Sequence, residues 1–211
     1  MNRKLVTIIF LIALISFLIS SIKAYSQYVS EDLSDSVLRL HVIANSDTSF
    51  DQELKYVVRD SLINYMNELL SKYNSKEDIL YYSQNHIQDL KKIAKQAIIN
   101  NGYNYDVTVE LGNFPFPTKT YSNISFPAGY YDALKVKIGK GKGQNWWCVM
   151  FPPLCFVDVS SAYLSEDNEN LLEENLSEED SSLILKENVS SKMKFKIVEL
   201  FNEFSTKIAQ N

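Results

Sequence analysis

Two cysteines are the residues of this chain best suited to covalent chemistry. Cys148 and Cys155 are seven positions apart. On one continuous strand, at ~3.3 Å per residue, they would lie about 23 Å apart and could not bond. If the chain reverses at Pro152 and Pro153, the cysteines become a cross-strand pair whose Cα separation can fall within the disulfide range of roughly 4.4 to 6.8 Å. A Cys148–Cys155 disulfide is therefore the favoured interpretation, with two buried free thiols as the alternative.

A thiol hydrolase is the enzymatic interpretation of the same residues. Cys148 would be the nucleophile and His41 the base, with Asp47 or Asp158 orienting the imidazole. The chain has only one other histidine, His86, and it falls on the apolar stripe of a predicted helix. His41 is expected in mid-strand, where a side chain hydrogen-bonded at the sheet surface is the ordinary role. We therefore do not expect these residues to form a thiol hydrolase.

A glycine-rich segment precedes a pair of tryptophans. Gly139, Gly141 and Gly143 follow a G-x-G-x-G pattern, which matches neither phosphate-binding fingerprint. We predict a turn that presents the following residues, and no cofactor. No cysteine, histidine or carboxylate cluster has the spacing of a metal site, so no metal is expected either.

Adjacent tryptophans in an extended chain point to opposite faces, so Trp146 and Trp147 cannot enter the same core layer. We predict that one is buried and the other exposed as an anchor for a partner, because exposed tryptophan often dominates binding energy. Packing of both under neighbouring loops is the alternative. The predicted contact residues are Asn145, Trp146, Trp147, Pro152 and Pro153.

Strands and helices must position these residues. Alternating or branched apolar runs predict strands at 37–44, 105–111 and 131–138, with a short edge strand near 119–121. Helical spacing predicts helices at about 50–72, from 75 to Gly102, and again from 189. Ser49 with Gln52, and Ser75 with Asp78, have the spacing of N-terminal caps. The run at 147–159 predicts two buried strands or a strand and a turn. The expected fold is one α+β domain, with an antiparallel or mixed sheet covered by two or three helices.

The N-terminus has the composition of an export signal. Arg3 and Lys4 precede the uncharged apolar residues 5–22, and small residues follow. We predict a signal peptide or membrane anchor at 1–26, a linker at 27–36 and a domain at 37–209. Cleavage before Gln27 and an uncleaved anchor both remain open, because the run just reaches the length of a membrane span. The domain is expected in an exported, oxidising location.

The formal net charge of −5 is unevenly distributed. It becomes −8 once the three cations of residues 1–26 are taken away, and the segment 165–185 holds eight acids without a lysine or arginine. We predict a flexible acidic insertion there. The remainder is close to neutral, so no nucleic acid is expected as a partner. With 6 Gly, 5 Pro and 45% apolar residues, the chain is neither collagen-like nor wholly disordered.

Two blocks of the sequence resemble the stage II sporulation protein R family of endospore-forming bacteria. The first spans 38–47 (LRLHVIANSD) and continues through Asp51, Gln52 and Arg59. The second spans 127–156 and contains the specific Asn145-Trp-Trp-Cys-Val149 and Phe151-Pro-Pro-Leu-Cys-Phe156 stretches. A weaker match lies at 195–199.

The resemblance implies a messenger that is not an enzyme, that is made in the forespore and that is exported into the space between forespore and mother cell. There it would activate a membrane-embedded aspartic protease, stage II sporulation protein GA, which processes pro-sigma E. The implied contact with a membrane is through the N-terminal segment only. A secreted cysteine-dependent hydrolase and a cell-wall-binding module are the alternatives.

Overall fold

The computed structural model describes residues 3–70, 73, 75–121, 123–155, 176–185 and 192–200, with the single positions 170, 172, 174 and 202. Within these residues the strands are β1 (Leu38–Ile43), β2 (Val107–Phe116), β3 (Lys119–Tyr121), β4 (Ile124–Phe126), β5 (Gly129–Ile138) and β6 (Asn145–Phe151). The helices are α1 (Arg3–Ser36), α2 (Ser49–Leu70), α3 (Lys76–Asn85), α4 (Ile87–Asn100) and α5 (Glu178–Leu185), followed by a helix at 192–200. The predicted α+β class is confirmed.

A four-stranded mixed sheet in the order β2-β5-β1-β6 forms the centre, and β3 and β4 form a separate hairpin. β1 is parallel to β5 and antiparallel to β6. β2 continues through Pro115 to Phe116, beyond the predicted end of this strand at residue 111. An edge strand tolerates proline, because one side of its backbone faces away from the sheet.

β1 is buried on both faces, because each face is covered by a different group of side chains. Val42 shares a face with its β6 neighbour Trp146, which contacts Tyr56 of α2. Arg39 and His41 lie on the other face, where both contact the ring of Phe116 from β2. The sheet thus has a helix-covered face and an aromatic face.

Caps explain where the helices begin and end. The Ser75 hydroxyl accepts from the Asp78 amide, as predicted. For α2, the cap is Thr48 rather than the predicted Ser49, since the Thr48 hydroxyl accepts from the Asp51 amide. The helix predicted from 75 to 102 is divided into α3 and α4 at His86, whose backbone is not helical. At the end of α4, Gly102 has a φ of 83° and supplies the predicted stop.

The N-terminal helix extends further than the predicted export signal. Its segment Arg3–Tyr25 is long and apolar enough to cross a membrane and is not buried against the protein. Residues 27–36, predicted as a linker, continue the same helix. Leu33 is fully buried, and the ammonium of Lys76, on α3, donates to the Ser34 carbonyl. The last turns of α1 are therefore part of the folded domain.

Part of the acidic segment also packs on this domain. α5 occupies Glu178–Leu185 and contacts β4 and α1. Leu176, Asp180 and Ile184 are buried. The expectation of a flexible insertion does not describe α5, whose apolar side chains anchor it to the core. Of the rest of the predicted insertion, positions 165–169, 171, 173 and 175 lie outside the described residues, as does Asp158.

Candidate partner-contact site

The two sequence blocks meet at the open edge of the main sheet. β6, from the second block, pairs with β1, from the first, in the register His41↔Trp147, Val42↔Trp146 and Ile43↔Asn145. β6 has no further strand beside it among the residues that the structure describes. The predicted contact residues Asn145, Trp146 and Trp147 therefore start an edge strand.

The glycine loop, residues 139–143, holds this edge against the end of β1. The Lys142 amide donates to the Asn45 carbonyl at 3.1 Å, and the Gly143 amide donates to the Ala44 carbonyl at 3.0 Å. Gly139 and Gly141 have φ values of 53° and 60°, which favour glycine. The loop is thus the predicted turn, and it crosses β1 because β5 and β6 flank that strand on opposite sides.

The turn after β1 is fixed by a buried carboxylate. Asp51, 4% exposed, accepts from Asn45 Nδ2 at 2.8 Å and from the Ser46 hydroxyl. Burial acts to raise the pKa of Asp51, but the hydrogen bonds from Ser46, Asn45, Tyr105 and Thr48 together hold it below its ordinary value. Asp51 therefore remains ionised at neutral pH. Its hydrogen bonds connect α2 to Asn45 and Ser46, in the turn to which the glycine loop is also hydrogen-bonded.

Trp147 lies on the aromatic face of the sheet, stacked on His41. Their ring centroids are 3.6 Å apart, and Phe116 meets Trp147 edge-on at 4.7 Å. Burial lowers the pKa of His41 to about 4, the hydrogen bond to Asn145 opposes the shift, and the charge of Lys135 adds to it. At neutral pH the imidazole is uncharged, and its Nε2 hydrogen can donate to Asn145 Oδ1 at 2.9 Å. His41 thus orients both Asn145 and Trp147, but from a buried rather than a surface position.

A buried arginine supports the backbone of Trp147 through a tyrosine. Arg39 is fully buried, with its guanidinium 4.2 Å from the ring centroid of Phe116 and 4.8 Å from that of Tyr131. Its Nη2 donates to the Tyr121 hydroxyl at 2.9 Å, and that hydroxyl donates to the Trp147 carbonyl at 3.2 Å. Burial raises the pKa of Tyr121, with Arg39 opposing, so the tyrosine keeps the proton that it donates.

Trp146 points the other way, toward the helices. Its ring meets Tyr56 edge-on at 5.5 Å, and the Arg59 guanidinium lies 4.2 Å from its centroid. Trp146 and Trp147 are both half-buried. The predicted opposite orientation is therefore present, but the expected division into one buried and one exposed ring is not, because each face of the edge strand carries its own partial cover.

A cleft of about 280 Å³ lies along the same edge. It is lined by residues of β3, of β6 and of the segment that follows β6. The lining residues are Lys119, Thr120, Tyr121, Asn145, Trp146, Trp147, Cys148, Leu154 and Cys155. Pro152 and Pro153 form the turn after β6; Pro152 is buried and Pro153 is half-buried. Neither proline lines the cleft, and the buried Pro152 offers little surface to a partner.

The cysteines face each other across this turn. Cys148 and Cys155 have their Cα atoms 5.1 Å apart, and the structure joins their sulfur atoms. This Cα separation lies inside the ordinary disulfide range. The bridge would hold Leu154 and the turn against the strand that carries the tryptophans.

The disulfide itself is a prediction that mass spectrometry can check. The purified native chain should be lighter than the reduced chain by the mass of two hydrogen atoms, because Cys148 and Cys155 are its only cysteines. Alkylation before and after reduction provides the control, with labels expected only after reduction. A native chain with the full reduced mass would contradict the bridge.

The arrangement does not fit a cysteine hydrolase. Cys148 is opposite Leu40 in the register, while His41 is opposite Trp147, so the thiol and the imidazole lie on different faces of the sheet. Asp47, the proposed orienting group, accepts instead from the Gln144 amide at 2.7 Å. No group of three metal-ligating side chains occurs among the described residues.

Sequence reasoning missed Arg39, Asn45, Asp51 and Tyr121. For Arg39 a signal was available in the sequence, because the alternation of side chains in the strand at 38–43 places Arg39 on the same face as His41. The Asn45-Ser46-Asp47 segment indicates a turn, but its contact with the glycine loop joins positions about a hundred residues apart. Contacts between such distant positions cannot be predicted from the spacing of neighbouring residues.

The fold and the site define an α+β domain that follows an N-terminal apolar helix and carries a pre-organised aromatic edge. Residues 34–161 match the family model described as stage II sporulation protein R, and the chain belongs to that family of sporulation proteins. It is also similar to Stage II sporulation protein R of Bacillus subtilis (strain 168), with 36% identity over 138 residues.

That alignment covers 65% of this chain and 62% of the relative, so less than two thirds of the relative's length is matched. No solved structure matches the chain. The resemblance found in the sequence is confirmed, and with it a role in sporulation. The N-terminal apolar helix is compatible with a signal anchor or with secretion.

Proposed function

We propose that this chain is an intercompartmental signal that activates the membrane-embedded aspartic protease stage II sporulation protein GA, which then processes pro-sigma E. It would act in the space between forespore and mother cell, exported by its N-terminal segment and either released or anchored there. Membership of the stage II sporulation protein R family supports this role. The pathway itself comes from the family resemblance.

The observation that carries the proposal is the meeting of the two family-like blocks at one edge. The first block supplies His41 and the Asn45–Asp47 turn, and the second supplies the glycine loop and the tryptophans. Residues held this firmly lose little conformational freedom on binding, which favours affinity. A pre-organised aromatic edge suits recognition of another protein.

Activation would follow from differential binding. A ligand shifts a conformational equilibrium only by as much as its affinities for the two states differ. The edge of β6 would therefore bind the active arrangement of the protease more tightly than the inactive one. Nothing in this mechanism needs chemistry from the chain itself, in keeping with the separation of His41 from Cys148.

Reconstitution tests the proposal directly. The full chain is added to membranes that contain the protease and pro-sigma E, and cleavage of the pro-sequence is followed. We expect cleavage to rise with added chain and to be absent when the catalytic aspartates of the protease are replaced. Folded chain that stimulates no cleavage would overturn the proposal.

Two further arms separate the alternative functions. Cleavage in membranes without the protease would point to hydrolytic activity in this chain. Sedimentation with purified peptidoglycan, in the absence of any protease, would favour a cell-wall-binding module.

A further inference from the structure

The helix at 192–200 exposes an apolar stripe. Met193, Ile197 and Leu200 are 63%, 39% and 57% exposed, and their spacing of four and three places them on one side of the helix. The opposite side is fixed to the domain, since Phe195 and Val198 are buried. The stripe is therefore held in a defined orientation on the surface.

This helix begins beside the point where the apolar part of α1 ends. The Lys194 ammonium lies 5.8 Å from the ring centroid of Tyr25, and Tyr25 is the last residue of the 23-residue candidate span. At ~1.5 Å per residue, a span of this length crosses the hydrocarbon core of about 30 Å. With that span in a bilayer, Tyr25 and the first turn of the 192–200 helix lie at the membrane surface.

The charges of this helix fit an anionic surface. Lys192, Lys194 and Lys196 are exposed beside the apolar stripe, and Glu199 is the only acid in the segment. Lys196 forms an ion pair with Glu199 at 2.5 Å, which leaves the segment with a net positive charge. An apolar stripe flanked by lysines is typical of helices that lie in the plane of the lipid headgroups.

We propose that the 192–200 helix rests on an anionic phospholipid bilayer, with Met193, Ile197 and Leu200 in the interfacial region. This gives the domain a second membrane contact, beyond the N-terminal segment. A domain held at two points has a restricted tilt above the membrane, so its β6 edge faces a fixed direction. The proposal is independent of the protease.

Spin labelling of the full chain in vesicles tests this contact. An Ile197→Cys variant carries the label on the stripe, and Ile99→Cys is the matched control, since Ile99 is a 48% exposed isoleucine on α4. Cys148 and Cys155 are 0% and 8% exposed and should not compete for the label. Accessibility of each label to oxygen and to a water-soluble nickel chelate is measured by power saturation.

We expect the label at position 197 to favour oxygen over nickel chelate in vesicles of phosphatidylcholine with phosphatidylglycerol, while the label at 99 favours the chelate. Adding Lys192→Gln and Lys194→Gln should return the label at 197 toward water. A label at 197 as water-exposed as the one at 99 would overturn the proposal and indicate a protein partner for the stripe. If the label at 197 were immersed equally in vesicles of pure phosphatidylcholine, the proposed preference for an anionic bilayer would be overturned.

Discussion

Replacing Gly143 by alanine should lower the free energy of unfolding by about 3 kcal/mol, through overpacking against fixed backbone. A Cβ at this position would lie 2.2 Å from the Ser46 carbonyl oxygen and 2.5 Å from its carbon. Backbone atoms cannot rotate away, so the loop must move. That movement breaks the hydrogen bond from the Gly143 amide to the Ala44 carbonyl.

Gly102→Ala is the matched control for this substitution. Gly102 has a φ of 83°, but a Cβ there meets nothing within 4 Å. Its alanine variant should lose only about 1 kcal/mol, the cost of left-handed backbone in a residue with a Cβ. Denaturant unfolding of the full chain in detergent compares the two variants. Equal losses of unfolding free energy in the two variants would show that close packing of Gly143 on the turn after β1 does not add to stability.

The Gly143→Ala variant should also lose most of its stimulation of pro-sigma E cleavage, measured where the variant is still folded. The loop leads directly into Asn145 and Trp146, so its displacement moves the residues proposed to meet the protease. Normal stimulation by a variant with a displaced loop would place the contact surface elsewhere on the chain.

Replacing the two tryptophans singly should separate contact from packing. Trp147→Ala removes a ring stacked on His41 and packed on Phe116, and should cost about 3 kcal/mol of stability. Trp146→Ala removes a half-buried ring that packs against Tyr56 and Arg59 of α2 and lines the cleft. Its larger effect should be on activation, about 30-fold if the ring contributes ~2 kcal/mol to binding.

The measurements are unfolding free energy and the concentration of chain that gives half-maximal cleavage. Trp146→Phe, which retains an aromatic ring, serves as the conservative control and should recover part of the activation. The same loss of folding and of activity in both alanine variants would refute a contact role for Trp146. It would then be a packing residue, as its neighbour is.

Several local features of the fold were predictable because their causes lie within a few residues. The Ser75 cap and the Gly102 stop depend on hydrogen bonds and backbone angles at those positions. The N-terminal cap of α2 was predicted wrongly, because two adjacent residues fit the capping pattern equally well. Ser49 and Thr48 can both cap a helix, and the choice of Thr48 goes with the network of Asp51 and Ser46.

The class of the domain, the apolar N-terminal helix, the turn at the glycines and the opposite orientation of Trp146 and Trp147 could all be predicted from the amino-acid sequence. Each of these follows from periodicity, composition or the angles available to a residue type. The position of β1 between β5 and β6 could not be predicted in this way, nor could the support that His41 and Arg39 give to the edge with the tryptophans, because both depend on the tertiary packing. Strand order depends on which distant surfaces bury each other, and short-range patterns cannot encode that choice.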